Sequence, residues 1–285
     1  MNKKINKKEL AKLLLLFVGA LLIEIIVTGI IVIFMSLNGA GIGIISMVTN
    51  PIGYMVIIAI LIWYSKRHGE NLWKECRFKK IKMSTVFLSV LLGIVFRPMV
   101  LFVSNLSKLF VPDVSAQLLD SLLGESVLLY FIIIAILAPV CEEIIMRGFF
   151  HNKFVKVLPF AGAAILSGFC FGVFHMNLNQ FCFAWIAGIL LAYVYRASGS
   201  IYAPIVVHLV NNGISSIKMF FGNMKYKEQG ISLAEASEIQ RGDMAYMTRI
   251  LLIYGVLSIA ALFLTRIIIR KIAQNEGTEN QGNNT

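Results

Sequence analysis

Residues 126–147 read SVLLYFIIIAILAPVCEEIIMR, an apolar run that closes on two adjacent carboxylates and an arginine. About 20 apolar residues are what a helix needs to cross the hydrocarbon of a bilayer. Charge inside such a run costs at least about 2.5 kcal/mol per residue on insertion scales, so each charged group there needs a reason. On a helix Glu142 and Glu143 project about 100° apart. Glu143 and Arg147 stand at i,i+4 with the acid first, the favourable order for an ion pair. Glu142 is left to face something else. A solvated cytoplasmic helix end would account for Arg147, but less well for two glutamates in an apolar stretch.

Outward from this stretch the pattern repeats. Apolar segments lie at about 11–35, 51–64, 83–103, 126–146, 159–176, 179–195, 200–220 and 246–269. Hydrophobic residues make up 58% of the 285-residue chain and charged residues 14%, where soluble domains carry about a quarter charged. The expected fold is all-α, a polytopic membrane helical bundle with about eight transmembrane helices. With the N-terminus in the cytoplasm, most of the 26 lysines and arginines fall on inner segments, so both termini are expected inside. The net charge of +11 then reports basic loops facing anionic membrane lipids. No aromatic-and-basic motif points to nucleic acid. The first run, Leu13 to Met35, is too long for a signal peptide and lacks a small-residue cleavage site, so it reads as an uncleaved span. Cys76, Cys141, Cys170 and Cys182 show no paired spacing, and disulfides are not expected.

This divides the chain into four parts. Residues 1–125 hold three spans and an outer-surface amphipathic segment, with Leu106, Leu109, Phe110, Val114, Leu118 and Leu122 at near-helical spacing. Residues 126–215 hold the charged core. Residues 216–272 hold an outer loop, where Ser232 and Glu235 form a capping box, and the last span. Residues 273–285 are a polar tail expected to be disordered.

Further polar residues fall within spans. A turn near Leu158–Pro159 places Glu142 and His175 each about 16 residues from it, roughly 24 Å along their helices and so at one height. His175 is therefore the expected partner of Glu142. His208 and Asn212, one turn apart, share a face of the seventh span, about 12 and 18 Å above its inner end. Asn211 faces elsewhere, as a packing or neighbour-bonding residue. Interhelical hydrogen bonding would account for any one of these residues alone. Together they support hydrolysis: a desolvated Glu142 as general base for water, His175 orienting that water, and His208 with Asn212 donating to an oxyanion. A cysteine mechanism through Cys141 or Cys170 is disfavoured, because Cys141 points about 100° from Glu142. Two histidines and a glutamate also form a known zinc set, which keeps zinc a candidate cofactor. No HExxH pairing is present to specify it.

Glu142–Arg147 matches EExxxR, Phe171–His175 matches FxxxH and His208–Asn212 matches HxxxN. In order and placement these resemble the CPBP family, the CAAX protease and bacteriocin-processing (Abi) intramembrane endopeptidases, over about residues 126–215. The resemblance implies a glutamate-type or metalloprotease mechanism with Glu142 as base, His175 as its water-binding partner and His208 with Asn212 as oxyanion hole. Glu143 and Arg147 are then supporting residues. The resemblance does not imply the substrate; a hydrophobic peptide or membrane-associated protein is expected, and the short loops and basic cytoplasmic face suggest a bacterial plasma membrane. Two other classes fit buried carboxylates and histidines: a proton-coupled transporter, and a non-catalytic bacteriocin-immunity or binding protein. Against the first, no inverted repeat is visible. Glu24 and Arg97, each about 18–21 Å from an inner span end, are expected to pair structurally.

Overall fold

The computed structural model describes residues 6–111 and 115–278. Among these the chain is helical throughout: α1 Lys7–Leu37, α2 Ile42–Arg67, α3 Leu72–Glu75, α4 Met83–Lys108, α5 Ser115–Glu125, α6 Val127–Val157, α7 Phe160–Phe174, α8 Leu178–Ser198, α9 Tyr202–Glu228, α10 Leu233–Gly242 and α11 Met244–Glu276. Each of the eight apolar segments is a helix. By length and composition α1, α2, α4, α6, α8 and α11 can cross a membrane. α9, at 27 residues, is long enough but more polar. α7, at 15 residues, rises only about 22 Å against roughly 30 Å of hydrocarbon. The chain is a polytopic membrane protein.

The bundle is apolar on its outside. Ile26, Ile30, Ile33 and Phe34 of α1 and Leu252, Val256, Ile259 and Phe263 of α11 are exposed, as lipid-facing residues are. α6 is the central helix: half of its apolar window is buried, against 17% for α1 and α11. α7 and α8 form a tight hairpin around it. A Cβ on Gly188 would lie 2.6 Å from Cα of Gly168, so the two helices touch backbone to backbone, as small residues permit within membranes. α4 breaks at Phe96. Pro98 has no N–H for the carbonyl four residues back, which ends the first stretch.

Three expectations change. Glu24 and Arg97 do not pair. Glu24 packs beside Gly53 of α2 and accepts from the Thr28 hydroxyl, whereas Arg97 donates to the Asn211 carbonyl at 2.7 Å and to Ser215 at 3.0 Å. Equal distance along two helices does not put them side by side in the bundle. α5 packs inward, with Leu122 and Leu123 buried beside Tyr130 and Leu233 and Asp120 accepting from Asn223. Val114 lies outside the described residues. The last helix runs on to Glu276, past the expected start of the polar tail, because Asn275 and Glu276 bond back to residues 82–85. Residues 279–285 lie outside the described residues. The capping box at Ser232 and Glu235 is present, and its hydrogen bonds hold the Glu235 carboxyl below its ordinary range.

The basic loop after α2 is plugged into the bundle. Asn152 and the Tyr195 hydroxyl donate to the Glu75 carbonyl, Ser200 to Lys79 and the Ile201 amide to Arg77. Lys153 and Lys156 pair with Glu70. Cys76 is fully buried against Gly148, where a Cβ would come within 2.4 Å of its Sγ. Burial, then the charge of Glu75, pushes its thiol up to about 12. Only the thiolate reacts with maleimide, and at pH 8 it is roughly one part in 10⁴. In native membranes Cys76 should therefore stay unlabelled by maleimide for hours and label at once in denaturing detergent. Rapid labelling without denaturant would show that the loop is not seated as described.

Candidate active site

The charged motif lies where α6 changes its winding. Residues 131–137 and 144–151 are π-helical and flank an α-helical stretch, Ala138–Glu143. Pro139 accounts for the first widening: it cannot donate, and its ring crowds the carbonyl four residues back. The Ala138 amide instead reaches the Ile133 carbonyl, five residues back. Helices wound this way recur at functional sites.

Glu142, Glu143, Arg147 and His208 form one buried cluster. Arg147 donates to Glu143 Oε1 at 3.1 Å and to the Gly188 carbonyl at 2.9 Å. Its guanidinium carbon stands 4.9 Å from the centre of the Phe171 ring, a cation–π contact. The same Glu143 oxygen lies 2.9 Å from His208 Nδ1. A carboxylate only accepts, so Nδ1 carries the hydrogen and Nε2 is the free ring nitrogen. Nε2 stands 3.6 Å from Glu142 Oε2, which is buried with no hydrogen bond among the described residues. Glu142 Oε1 accepts from the Tyr54 hydroxyl at 2.7 Å. The residue facing Glu142 is thus His208, not the expected His175. Glu143 does more than pair with Arg147, since it also anchors His208.

His175 stands at the end of α7, where the helix stops short. Met176 follows with φ of 47°, a left-handed conformation that costs a non-glycine residue about 1–3 kcal/mol. Asn177 caps α8, and Asn179 ties the turn to Ser104 and Ser107 of α4. His175 Nδ1 is 2.8 Å from the Phe171 carbonyl, which can only accept, so this ring too keeps Nε2 free. Phe171 lies edge-on to both histidines, with centroids 4.8 Å from His175 and 5.7 Å from His208. His175, His208, Asn211 and Asn212 line a cavity of about 50 Å³ whose other walls, such as Phe96, Phe183 and Ala187, are apolar. That is room for a few waters or a small aliphatic group. Asn212 spends one amide hydrogen on the Ile134 carbonyl and has a second to give.

Tyr54 is the participant that sequence reasoning missed. A tyrosine in an apolar span carries no periodicity or motif that would mark it. For zinc, the donors do not fit as found. Among the described residues no three His, Cys, Asp or Glu side chains are gathered closely enough to hold a metal ion.

Residues 124–214 match the family model described as Type II CAAX prenyl endopeptidase Rce1-like. Over this segment the chain is similar to that family. The segment contains all three motifs, with Glu142, Glu143, Arg147, His175, His208 and Asn212, while Tyr54 lies outside it. A curated relative, the "Putative membrane peptidase YdiL" of Bacillus subtilis (strain 168), is 29% identical over 105 residues. The match covers 37% of this chain and 43% of that protein, so the alignment spans less than half of either. No solved structure matches the chain significantly.

The cluster makes a stability prediction for the Rce1-like segment. Arg147→Met leaves the Glu143 carboxylate buried with His208 but without its cationic partner, which costs about 3–5 kcal/mol. Combining it with Glu143→Gln removes both charges and should recover most of that loss. Thermal midpoints in detergent would show this, and a single mutant as stable as the wild type would refute the pairing.

Proposed function

We propose that this protein is an intramembrane endopeptidase that hydrolyses a peptide bond in a hydrophobic peptide or membrane-associated protein. The observation that carries the reading is the pair formed by Glu142 Oε2 and His208 Nε2. One is a buried oxygen without a hydrogen bond, the other a ring nitrogen whose partner nitrogen is already committed. Two acceptors facing each other at 3.6 Å call for a shared donor, and water is the donor that can serve both. Glu142 then takes a proton from that water as its oxygen attacks the substrate carbonyl. His175, with Nε2 free, positions the water. The oxyanion receives the spare amide hydrogen of Asn212, while His208 Nε2 accepts the second hydrogen of the water. The acid so formed at Glu142 returns its proton to the leaving amine, which balances the reaction. Glu143 and Arg147 hold His208 in register.

The family match and the relative named as a membrane peptidase support the reaction class. The apolar walls of the cavity support an aliphatic side chain next to the scissile bond. The basic loops support an orientation with both termini in the cytoplasm of a bacterial plasma membrane.

Cleavage of a library of internally quenched apolar peptides in proteoliposomes tests the reading. Glu142→Gln and His208→Ala should each lower the rate at least about a hundredfold, with His175→Ala close behind. Equal cleavage by wild type and Glu142→Gln would overturn the enzymatic reading in favour of a binding, immunity or transport role. The donor geometry further predicts less than one zinc per chain in purified protein and cleavage that survives chelation. Stoichiometric zinc with chelator-sensitive cleavage would require His175 to turn towards Glu142 and His208.

A further inference from the structure

Tyr54 lies on α2, outside the Rce1-like segment and outside the three motifs. Among the described residues it is nonetheless the one hydrogen-bond partner of the Glu142 side chain. A phenol has a single hydrogen to donate, and here it is spent on Oε1 at 2.7 Å. A carboxylate held at one oxygen cannot exchange its two oxygens by rotation. Oε2 is therefore the oxygen kept opposite His208.

The tyrosine is itself held in place. Its ring stacks on Phe174 with centroids 6.1 Å apart and planes within 25°, and Phe174 immediately precedes His175. On the neighbouring residue, a Cβ at Gly53 would meet Glu24 Oε1 at 2.7 Å, so α1 backs α2 closely at this level. The phenol thus ties Glu142 on α6 to the end of α7 that carries His175. A catalytic group fixed through a second layer of contacts is what precise attack geometry requires.

We propose that Tyr54 is the positioning residue for Glu142, so that the N-terminal helices complete the site rather than only anchoring it. This rests on Glu142 being the general base, and the test separates the two. Tyr54→Phe removes the hydroxyl and keeps the stacked ring. Two measurements are made on the full chain in membranes. The first is labelling by dicyclohexylcarbodiimide, which adds to carboxyl groups in apolar surroundings, mapped by mass spectrometry. Freeing Oε1 should raise Glu142 labelling severalfold and leave Glu24, which Tyr54 does not bond, unchanged as an internal control of folding. The second is cleavage of the quenched peptides. There kcat should fall roughly tenfold, the scale of one hydrogen bond to a charged group, with KM unchanged.

Unchanged Glu142 labelling overturns the proposal, whatever happens to cleavage. So does a loss expressed only in KM. If no peptide is cleaved even by the wild type, the peptidase reading is what has failed. The labelling result then still decides, by itself, whether Tyr54 holds Glu142.

Discussion

The arrangement depends on the cost of keeping Arg147 charged where no water reaches it. The side chain is fully buried in the central helix of the bundle, and an unpaired charge there would cost several kcal/mol. Its environment answers that cost from three directions: the Glu143 carboxylate on its own helix, the Gly188 carbonyl on α8 and the face of Phe171 on α7. Those partners require α7 and α8 to approach closely, which Gly168 and Gly188 allow. The ion pair and the hairpin packing therefore specify each other.

Once Glu143 is fixed by Arg147, its shared oxygen also fixes His208. One carboxylate oxygen receives a hydrogen from each neighbour, so the imidazole orientation is inherited from the ion pair. This is why adjacent glutamates divide their work. Glu143 spends one oxygen on two partners, Arg147 and His208, and its other oxygen is buried with no hydrogen bond among the described residues. Glu142, about 100° around the helix, meets Tyr54 with one oxygen and leaves the other unbonded. The two acids differ in what the unbonded oxygen faces: that of Glu142 stands 3.6 Å from His208 Nε2.

The surroundings keep this asymmetry in place. α7 stops before it would span the membrane, and the left-handed Met176 and the Asn177 cap turn the chain back at that depth. His175 is thereby held beside the cavity instead of at a lipid surface. At the other end, the loop from Glu70 to Lys82 hydrogen-bonds to α6, α8 and the turn between α8 and α9. This basic loop is a seated cap, with Cys76 as its buried plug.

The sequence by itself determined the polytopic helical class, because apolar runs of this length have no other stable placement. It also determined the Glu143–Arg147 pair, which is local to one helix at i,i+4. Candidate residues were legible too, since polar groups stand out in apolar runs. Which of them meet was decided only by the tertiary structure. Counting residues from a turn yields height along a helix but not the rotation or neighbour of that helix. For this reason His208, and not His175, came to face Glu142, and Glu24 and Arg97 went to separate partners. Tyr54 was invisible for the same reason. Its contact with Glu142 spans 88 residues of sequence and exists only because packing brings α2 against α6.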